Sequence, residues 1–366
     1  MKMTQKELTE YNLGQSLDDL MNLDPRGYGV CKILYEAARK TAGEPVSLHA
    51  AKALCKNLKK GDYVYLLTGF VLYPFACAET DGIIGTMFLA KTLQAALGVR
   101  PVIVCQEENV SAVKGLSRLF GLHAFPSVEK MNDLPFSLAY YPFTKDEKEA
   151  PLQAEKMMNV CRPAMVITVE APGANEKGAY HNAVGRNITA LEAKEDILFR
   201  KLQAIGVPSL SIGDLGNEIG LGTIGSQLEK YIPYAAAGEC GCGCGGGIAV
   251  ATKADNVLTA TTSDWGCYAV CAMLAYLMGD EELMHDADLQ ERAMRRAADC
   301  GMIDMYGQTI PAIDGIGIEL NRSVVTCMRE CVKYSIALEK KCKTWFDKTL
   351  EKGYFIEKRE KEYERV

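Results

Sequence analysis

This sequence of 366 residues lacks several features that would place it in other classes of protein. No apolar run approaches the roughly 20 residues that a membrane-spanning helix needs. Residues 1–11 also lack the apolar core of a signal peptide. The net charge is −6, whereas binding to nucleic acid requires a basic surface for the phosphates. We therefore expect neither a membrane nor a nucleic acid as a partner.

The motifs of the common cofactor-dependent enzymes are missing as well. The glycines stand in the wrong order for a dinucleotide-binding fingerprint, and no Gly-Lys-Ser/Thr follows them to form a phosphate loop. No nucleophile elbow surrounds Ser263. Neither His-x-x-x-His nor paired Cys-x-x-Cys spacing is present to indicate zinc. The sequence predicts a protein without a nucleotide cofactor.

The composition is that of an ordinary globular protein, with 48% hydrophobic and 24% charged residues. The 14 cysteines are scattered, many of them in apolar runs where a reduced thiol behaves as a small hydrophobe. We therefore expect a reducing, cytoplasmic location. Cys240, Cys242 and Cys244 alternate with glycine. Because no fourth ligand accompanies them, the sequence favours a flexible glycine-rich loop over a soft-metal or redox site.

Strand-like and helix-like segments alternate along most of the chain, after a first 60 residues that are predicted to be helical. The predicted strands are 63–68, 101–105, 165–169, 209–212, 248–252 and 257–261. Beyond residue 60, the predicted helices are 83–97, 193–204, 218–229, 268–277 and 283–298. This alternation predicts an α/β fold with a mostly parallel sheet and helices on both faces. We divide the chain into an N-terminal helical segment (1–60) packing on the core, an α/β catalytic domain (61–335) and a charged C-terminal helix (336–366).

Four loops that follow predicted strands combine glycine with acidic residues: 79–82, 170–173, 213–218 and 263–266. Ligands of open α/β sheets bind at the carboxyl ends of the strands, so these loops predict a site for a small anion. Asp81, Asp214 and Asp264 could each be a helix cap. Glu79 with Asp81, and Asp214 with Glu218, nevertheless supply paired carboxylates, and the second pair would share one face of a helix starting at Asp214. Oxygen-rich clusters of this kind suit Mg²⁺ or Mn²⁺.

Two further stretches contribute possible ligands for a substrate. Gly213, Gly216, Gly220 and Gly222 lie within ten residues, which indicates a close approach of the backbone to a ligand. The polar stretch 173–189 contains His181, Asn182 and Arg186, and long irregular loops are usually functional or disordered. Arg186 could bind a carboxylate bidentately, although a surface ion pair explains it equally well. A lone histidine such as His181 is more often structural.

Taken in chain order, these segments resemble the D-glutamate cyclase family over roughly residues 60 to 320. The resemblance is carried by Thr68-Gly69-Phe70, 79–82, 173–182, Gly185-Arg186, 213–222 and 263–268. The run at 213–222, Gly-Asp-Leu-Gly-Asn-Glu-Ile-Gly-Leu-Gly, is the most specific piece. Two departures are visible, because the family has a Met-Arg pair where this chain has Ala183-Val184, and the Cys-Gly segment is peculiar to this chain.

The resemblance implies a hydro-lyase that converts D-glutamate to 5-oxo-D-proline with loss of water. On this interpretation Asp81, Asp214 and Glu218 hold a Mn²⁺ or Mg²⁺ ion. Glu79 or Glu170 transfers protons, with Asp214 and Glu218 also counted as catalytic. Asn182, Arg186, Asn217 and Asp264 bind the substrate.

Two other functions remain open on the sequence alone. A Mn²⁺- or Mg²⁺-dependent phosphohydrolase acting on a small phosphoester would use the same carboxylates. A non-catalytic module that binds an acidic metabolite would gain little from buried acids without a metal. A homo-oligomer is also possible.

Overall fold

The computed structural model describes residues 3–339 and 341–363 and is built on one seven-stranded sheet with a small separate hairpin. The strands are β1 (Tyr63–Thr68), β2 (Val71–Leu72), β3 (Cys77–Ala78), β4 (Arg100–Cys105), β5 (His123–Phe125), β6 (Ser137–Pro142), β7 (Met165–Val169), β8 (Ser209–Gly213) and β9 (Asn256–Thr259). The large sheet has the order β5-β6-β4-β1-β7-β8-β9, and every pair in it is parallel. Strands β2 and β3 pair with each other in antiparallel fashion. The predicted α/β class is confirmed.

Helices cover both faces of the sheet. They are α1 (Gln5–Met21), α2 (Val30–Ala42), α3 (Val46–Asn57), α4 (Ile83–Leu97), α5 (Val110–Leu119), α6 (Val128–Asn132), α7 (Ala150–Val160), α8 (Glu195–Ala204), α9 (Gly225–Tyr231), α10 (Ser263–Met278), α11 (Ala287–Asp299), α12 (Ile318–Glu339), α13 (Lys343–Glu351) and α14 (Tyr354–Tyr363). In the part of the chain that the structure describes, no helix is both long enough and apolar enough to cross a membrane.

The core explains why the predicted strands were readable from the sequence. Strands β7 and β8 are buried along their whole length, as central parallel strands are when helices cover both faces. Helix α10 is buried from Ser263 to Tyr276 and contacts α4, α1, α3 and α12. A helix surrounded by other elements is apolar on all sides. One hydrophobic cluster extends from Leu13 in α1 to Val332 in α12, so the N-terminal helices pack on the same core as the sheet.

Some predicted elements are wrong. No helix begins at Glu218, because the carboxylate of Glu218 accepts the backbone N–H groups of residues 214–216 and closes a loop, and α9 starts only at Gly225. No strand forms at 248–252. The backbone of this segment instead donates hydrogen bonds to two loops. Val250 N donates to Gly216 O in the loop after β8, and Ala251 N donates to Ala174 O in the loop after β7.

The glycine-rich run packs tightly against the rest of the protein. A Cβ on any of its four glycines would meet atoms of the protein itself within 3 Å, so the fold already requires glycine here, and the approach to a ligand stays a prediction. The nearest atoms belong to Leu221, Leu228, Ser211 and Thr252, for Gly213, Gly216, Gly220 and Gly222 respectively.

Part of the predicted C-terminal helix at 336–366 lies outside the described residues. Within them, the chain there forms the end of α12 followed by α13 and α14. Strands β5 and β6 were not predicted. Strand β5 is a three-residue edge strand, which is too short to give a clear apolar signal, and β6 ends in the partly exposed residues Tyr141 and Pro142.

Candidate functional site

The acidic loops meet at the carboxyl edge of the sheet, where β1, β7, β8 and β9 lie side by side. Two groups of carboxylates have oxygens within 4.8 Å of one another: Asp81, Asp214 and Asp314 form one, and Glu170, Asp214 and Glu218 form the other. Asp214 therefore stands at the centre of the site. The sequence had suggested that the loop 79–82 follows β1 directly. In the structure it follows the β2–β3 hairpin instead.

The position of Glu170 depends on a tight contact with Gly82. Glu170 follows β7 with a φ of 46°, a conformation that residues other than glycine seldom adopt and that is often found at functional sites. Gly82 has a φ of 82°, and a Cβ placed on it would lie 2.4 Å from the Cβ of Glu170. The Ser263 hydroxyl donates to Glu170 Oε2 over 2.7 Å. The fold thus holds this carboxylate against the N-termini of two helices.

Asp81 and Asp264 tie helices α4 and α10 together. Asp81 accepts hydrogen bonds from Ser263 N, Asp264 N and Gly82 N, all at 2.9 Å. Asp264 accepts from Gly85 N at 2.6 Å and from the Tyr268 hydroxyl at 3.3 Å. Each carboxylate therefore accepts hydrogen bonds at the start of the other residue's helix, which satisfies N–H groups that a helix leaves unpaired. Both oxygens of Asp264 already have partners within the protein. Its role in substrate binding stays a prediction.

Glu218 is fully buried and holds the loop before it in shape. Its Oε1 accepts from Asp214 N and Leu215 N at 2.8 Å, and its Oε2 accepts from Gly216 N at 2.6 Å. The prediction that Asp214 and Glu218 share one face of a helix is wrong, because this segment is a loop. The two carboxylates nevertheless lie together, since the loop folds around Glu218.

Burial and crowding of like charges dominate the electrostatics of the site. Burial, with a contribution from Asp314, raises the pKa of Asp81 to about 7. Burial and the neighbouring carboxylates hold the pKa values of Glu79, Glu170 and Asp214 well above their usual range. So many buried oxygen donors favour a hard divalent cation over a soft one, and the residues present fit the predicted Mg²⁺ or Mn²⁺.

Sequence reasoning missed two members of the site. Asp314 comes from the segment before α12, where it has a φ of 51°. Its Oδ2 lies 3.3 Å from a guanidinium nitrogen of Arg26, which comes from the connection between α1 and α2. The Asp314-Gly315 pair is a turn signal that could have drawn attention to the first. Nothing in the sequence places Arg26 beside the acids.

The three other predicted substrate-binding residues lie on neighbouring loops. The Asn217 side-chain amide donates to His181 O over 2.8 Å, while its Oδ1 is buried without a partner. Asn182 Oδ1 accepts from Val184 N and Arg186 N, so Asn182 shapes its own loop. Arg186 is exposed, and its guanidinium lies 5.5 Å from the ring centroid of Tyr73 in the β2–β3 hairpin.

A second group of possible metal ligands includes His181, which precedes Asn182 in the same loop. His181 joins Cys240, Cys242 and Cys244, and the four donor atoms lie within 4.8 Å of one another. The sequence-based expectation that the three cysteines lack a fourth ligand is therefore wrong. The missing residue comes from a loop distant in the chain, which spacing rules do not reveal. All fourteen cysteines carry free thiols.

The fold and the site together define a parallel α/β protein with a buried acidic centre at the carboxyl edge of its sheet. A family model described as "D-glutamate cyclase-like, C-terminal" matches residues 17–329, and the chain belongs to this family. It is similar to the human protein "D-glutamate cyclase, mitochondrial", with 26% identity over 272 residues, which cover 72% of this chain and 39% of the relative. The chain thus corresponds to about two-fifths of that relative's length. The family resemblance expected from the sequence is confirmed.

Proposed function

We propose that this chain is a lyase that cyclises D-glutamate to 5-oxo-D-proline with release of water. The observation that carries the proposal is the convergence of buried carboxylates around Asp214 at the carboxyl edge of the sheet. Membership of the D-glutamate cyclase-like family and the similarity to the human cyclase support this choice of reaction.

The reaction sets clear demands on the protein. The α-nitrogen of glutamate forms a bond to the γ-carbon, and one γ-oxygen leaves as water. Two protons leave the α-ammonium group and two arrive on the departing oxygen, so the net charge is unchanged. A group that accepts a proton near the nitrogen and returns one near the oxygen, twice in each turnover, satisfies both halves of this transfer. The reaction also requires the negative charge of the γ-carboxylate to be offset.

The predicted Mg²⁺ or Mn²⁺ ion would be held by Asp81, Asp214 and Asp314, whose oxygens lie within 4.8 Å of one another. When bound, the ion would neutralise charge on the γ-carboxylate and polarise its carbon–oxygen bonds. We assign Asp314 to this set in place of Glu218, because Asp314 has an oxygen close to those of both Asp81 and Asp214, whereas Glu218 groups with Glu170 and Asp214.

The protein's own groups supply proton transfer and orientation. We assign proton transfer to Glu170, which lies beside Asp214 and is oriented by the Ser263 hydroxyl, with Glu79 as the neighbouring acid. The unpartnered Oδ1 of Asn217 is free to accept a hydrogen bond from the α-ammonium group. We assign the exposed Arg186 to the α-carboxylate, because Arg26 already pairs with Asp314; Arg186 shares its loop with Asn182. Holding both ends of glutamate in this way brings nitrogen and γ-carbon together, which is the main advantage of an intramolecular reaction.

The partners follow from the same chemistry. We propose a small anionic substrate and no nucleotide cofactor. We also propose a reducing compartment such as the cytoplasm, which the free thiols support.

The test is an incubation with D-glutamate, L-glutamate and a panel of phosphoesters, each with and without Mn²⁺. We expect 5-oxoproline from D-glutamate and far less from L-glutamate, because three separate contacts with the substrate cannot all be made by its mirror image. Glu170→Gln should lower kcat by about 10²- to 10⁴-fold, the usual contribution of a general acid–base group. Chiral chromatography of the product measures both the preference for D-glutamate and the loss of kcat in Glu170→Gln. Phosphate release without any 5-oxoproline would falsify the cyclase assignment and favour the phosphohydrolase.

A further inference from the structure

The second cluster consists of residues that the acidic site does not use. It joins His181, in the loop after β7, to Cys240, Cys242 and Cys244, in the loop after α9. Cys240 Sγ lies 3.4 Å from Cys242 Sγ and 3.5 Å from Cys244 Sγ. The Nε2 atom of His181 lies 3.2 Å from Cys242 Sγ and 3.7 Å from Cys244 Sγ. Four donor atoms therefore surround one point.

These separations match the edges of a metal-centred tetrahedron. With Zn–S bonds of about 2.3 Å and Zn–N bonds of about 2.1 Å, tetrahedral angles place two sulfurs about 3.8 Å apart and a sulfur and nitrogen about 3.6 Å apart. The observed distances lie within about 0.4 Å of these values. A disulfide requires sulfurs about 2.05 Å apart, which none of the measured pairs approaches.

The backbone of the cysteine loop is built to turn its thiols toward one point. Gly241, Gly243 and Gly245 have φ values of 69°, 88° and 80°, and a Cβ on any of them would meet nothing within 4 Å. Space does not require these glycines, so it is the left-handed conformation that does. In this conformation the three thiols converge, with Cys240 Sγ within 3.5 Å of the other two sulfurs. The repeated Cys-Gly pattern is thus explained by the shape of the loop.

Neighbouring N–H groups complete the surroundings of the sulfurs. The backbone N–H of Gly246 donates to Cys244 Sγ at 3.3 Å, and the Asn175 amide donates to the same sulfur at 3.6 Å. Hydrogen bonds of this kind orient metal ligands and stabilise the charge of a bound thiolate. Three sulfurs and one imidazole are soft or borderline donors, unlike the oxygens of the acidic site.

We propose that His181, Cys240, Cys242 and Cys244 bind one Zn²⁺ ion with tetrahedral geometry. Four protein ligands close the coordination sphere, which is the arrangement of structural rather than catalytic zinc. This site is separate from the acidic centre in its ligands, its metal and its role.

The zinc ion braces the His181 loop against the cysteine loop, and the His181 loop is bonded to Asn217. His181 O accepts the hydrogen bond from Asn217, and Asn182 follows His181 directly in the chain. Gly185 lies so close to Cys240 that a Cβ on it would be 2.6 Å from the Cys240 carbonyl oxygen. Fixing His181 to the cysteine loop therefore fixes the backbone on which Asn182 and Arg186 stand. Loss of zinc should loosen this segment first.

The direct test is metal analysis of the full chain, purified without a histidine tag and dialysed against a chelator that strips weakly bound Mg²⁺ and Mn²⁺. We expect one zinc ion per chain in the wild type. Cys242→Ser and His181→Asn should each lose nearly all of it. The matched controls Cys327→Ser and His123→Asn change exposed residues of the same types outside the cluster and should keep it.

Two spectroscopic and chemical measurements make the result independent of glutamate turnover. Reconstitution with Co²⁺ should give the thiolate-to-cobalt and visible bands of a tetrahedral site in the wild type and in Asp214→Asn, but not in Cys242→Ser. Added Zn²⁺ should also protect Cys242, which is exposed, from a thiol reagent while Cys327 stays reactive. Circular dichroism verifies that each variant is folded.

The proposal is overturned if the wild type binds neither Zn²⁺ nor Co²⁺ at this cluster. It is equally overturned if mass spectrometry of the protein kept under reducing conditions finds two of the three loop cysteines joined as a disulfide. Failure of the cyclase assay has no bearing on these results, since metal content and Co²⁺ spectra are read without substrate.

Discussion

The contact between Gly82 and Glu170 makes a sharp prediction about stability. Gly82→Ala places a methyl group 2.4 Å from the Cβ of Glu170 and 3.2 Å from the carbonyl oxygen of Val169. The backbone at position 82 also has a φ of 82°, which L-residues rarely adopt. Two independent costs therefore act on one substitution.

The two costs can be estimated separately. A left-handed backbone costs an L-residue about 1–2 kcal/mol, and overpacking adds about 1–3 kcal/mol. We expect Gly82→Ala to lower the free energy of unfolding by about 2–5 kcal/mol, a large part of the 5–15 kcal/mol typical of a domain. Gly279→Ala is the matched control, because its φ is 69° and no atom lies within 4 Å of the added Cβ. Gly279→Ala should therefore lower the free energy of unfolding only by the backbone cost of about 1–2 kcal/mol.

Denaturant unfolding followed by circular dichroism measures these changes. Glu170→Gly removes the Cβ that the new methyl group would strike, so the double variant should recover most of the overpacking cost relative to Gly82→Ala. A coupling energy near zero in this double-mutant cycle would refute the contact, as would equal losses for Gly82→Ala and Gly279→Ala.

Two further predictions concern protonation and metal binding. Burial lowers the pKa of His285 from its ordinary value of 6.5 to about 3, so the folded state resists a proton that the unfolded state takes up. This contribution to stability is complete above pH 6.5 and declines as the pH falls toward 3. The loss should reach about 2 kcal/mol at pH 5. Between pH 7.5 and pH 5, the free energy of unfolding of the wild type should therefore fall by about 2 kcal/mol more than that of His285→Asn. Separately, Asp214→Asn should weaken Mn²⁺ binding measured by calorimetry at least tenfold, while the exposed control Asp299→Asn should not. Equal affinities in these two variants would remove Asp214 from the metal site.

Much of the fold could be read from the sequence because its signals are local. Strands β1 and β7 are continuous apolar runs, since both of their faces are covered, and their bounds agree with the prediction. Helix α4 likewise begins and ends where predicted, at Ile83 and Leu97. Acidic loops after the strands predicted a site at the carboxyl edge, because parallel strands all end on the same side.

Other features depended on contacts between distant segments. Glu218 was predicted to begin a helix, yet its carboxylate accepts three backbone N–H groups of its own loop, an arrangement that no periodicity encodes. Arg26 and Asp314 come from opposite ends of the chain, and only folding brings them to the acids.

The cysteine cluster shows the division most clearly. The sequence by itself determined three thiols on a glycine-rich loop, because the alternation of Cys and Gly is a local pattern. Only the tertiary structure decided that His181 completes the set, since Nε2 of that residue reaches Cys242 through the packing of two loops that are far apart in the chain. A metal site needs donors at fixed distances in space, and spacing along the chain fixes those distances only within a single local segment.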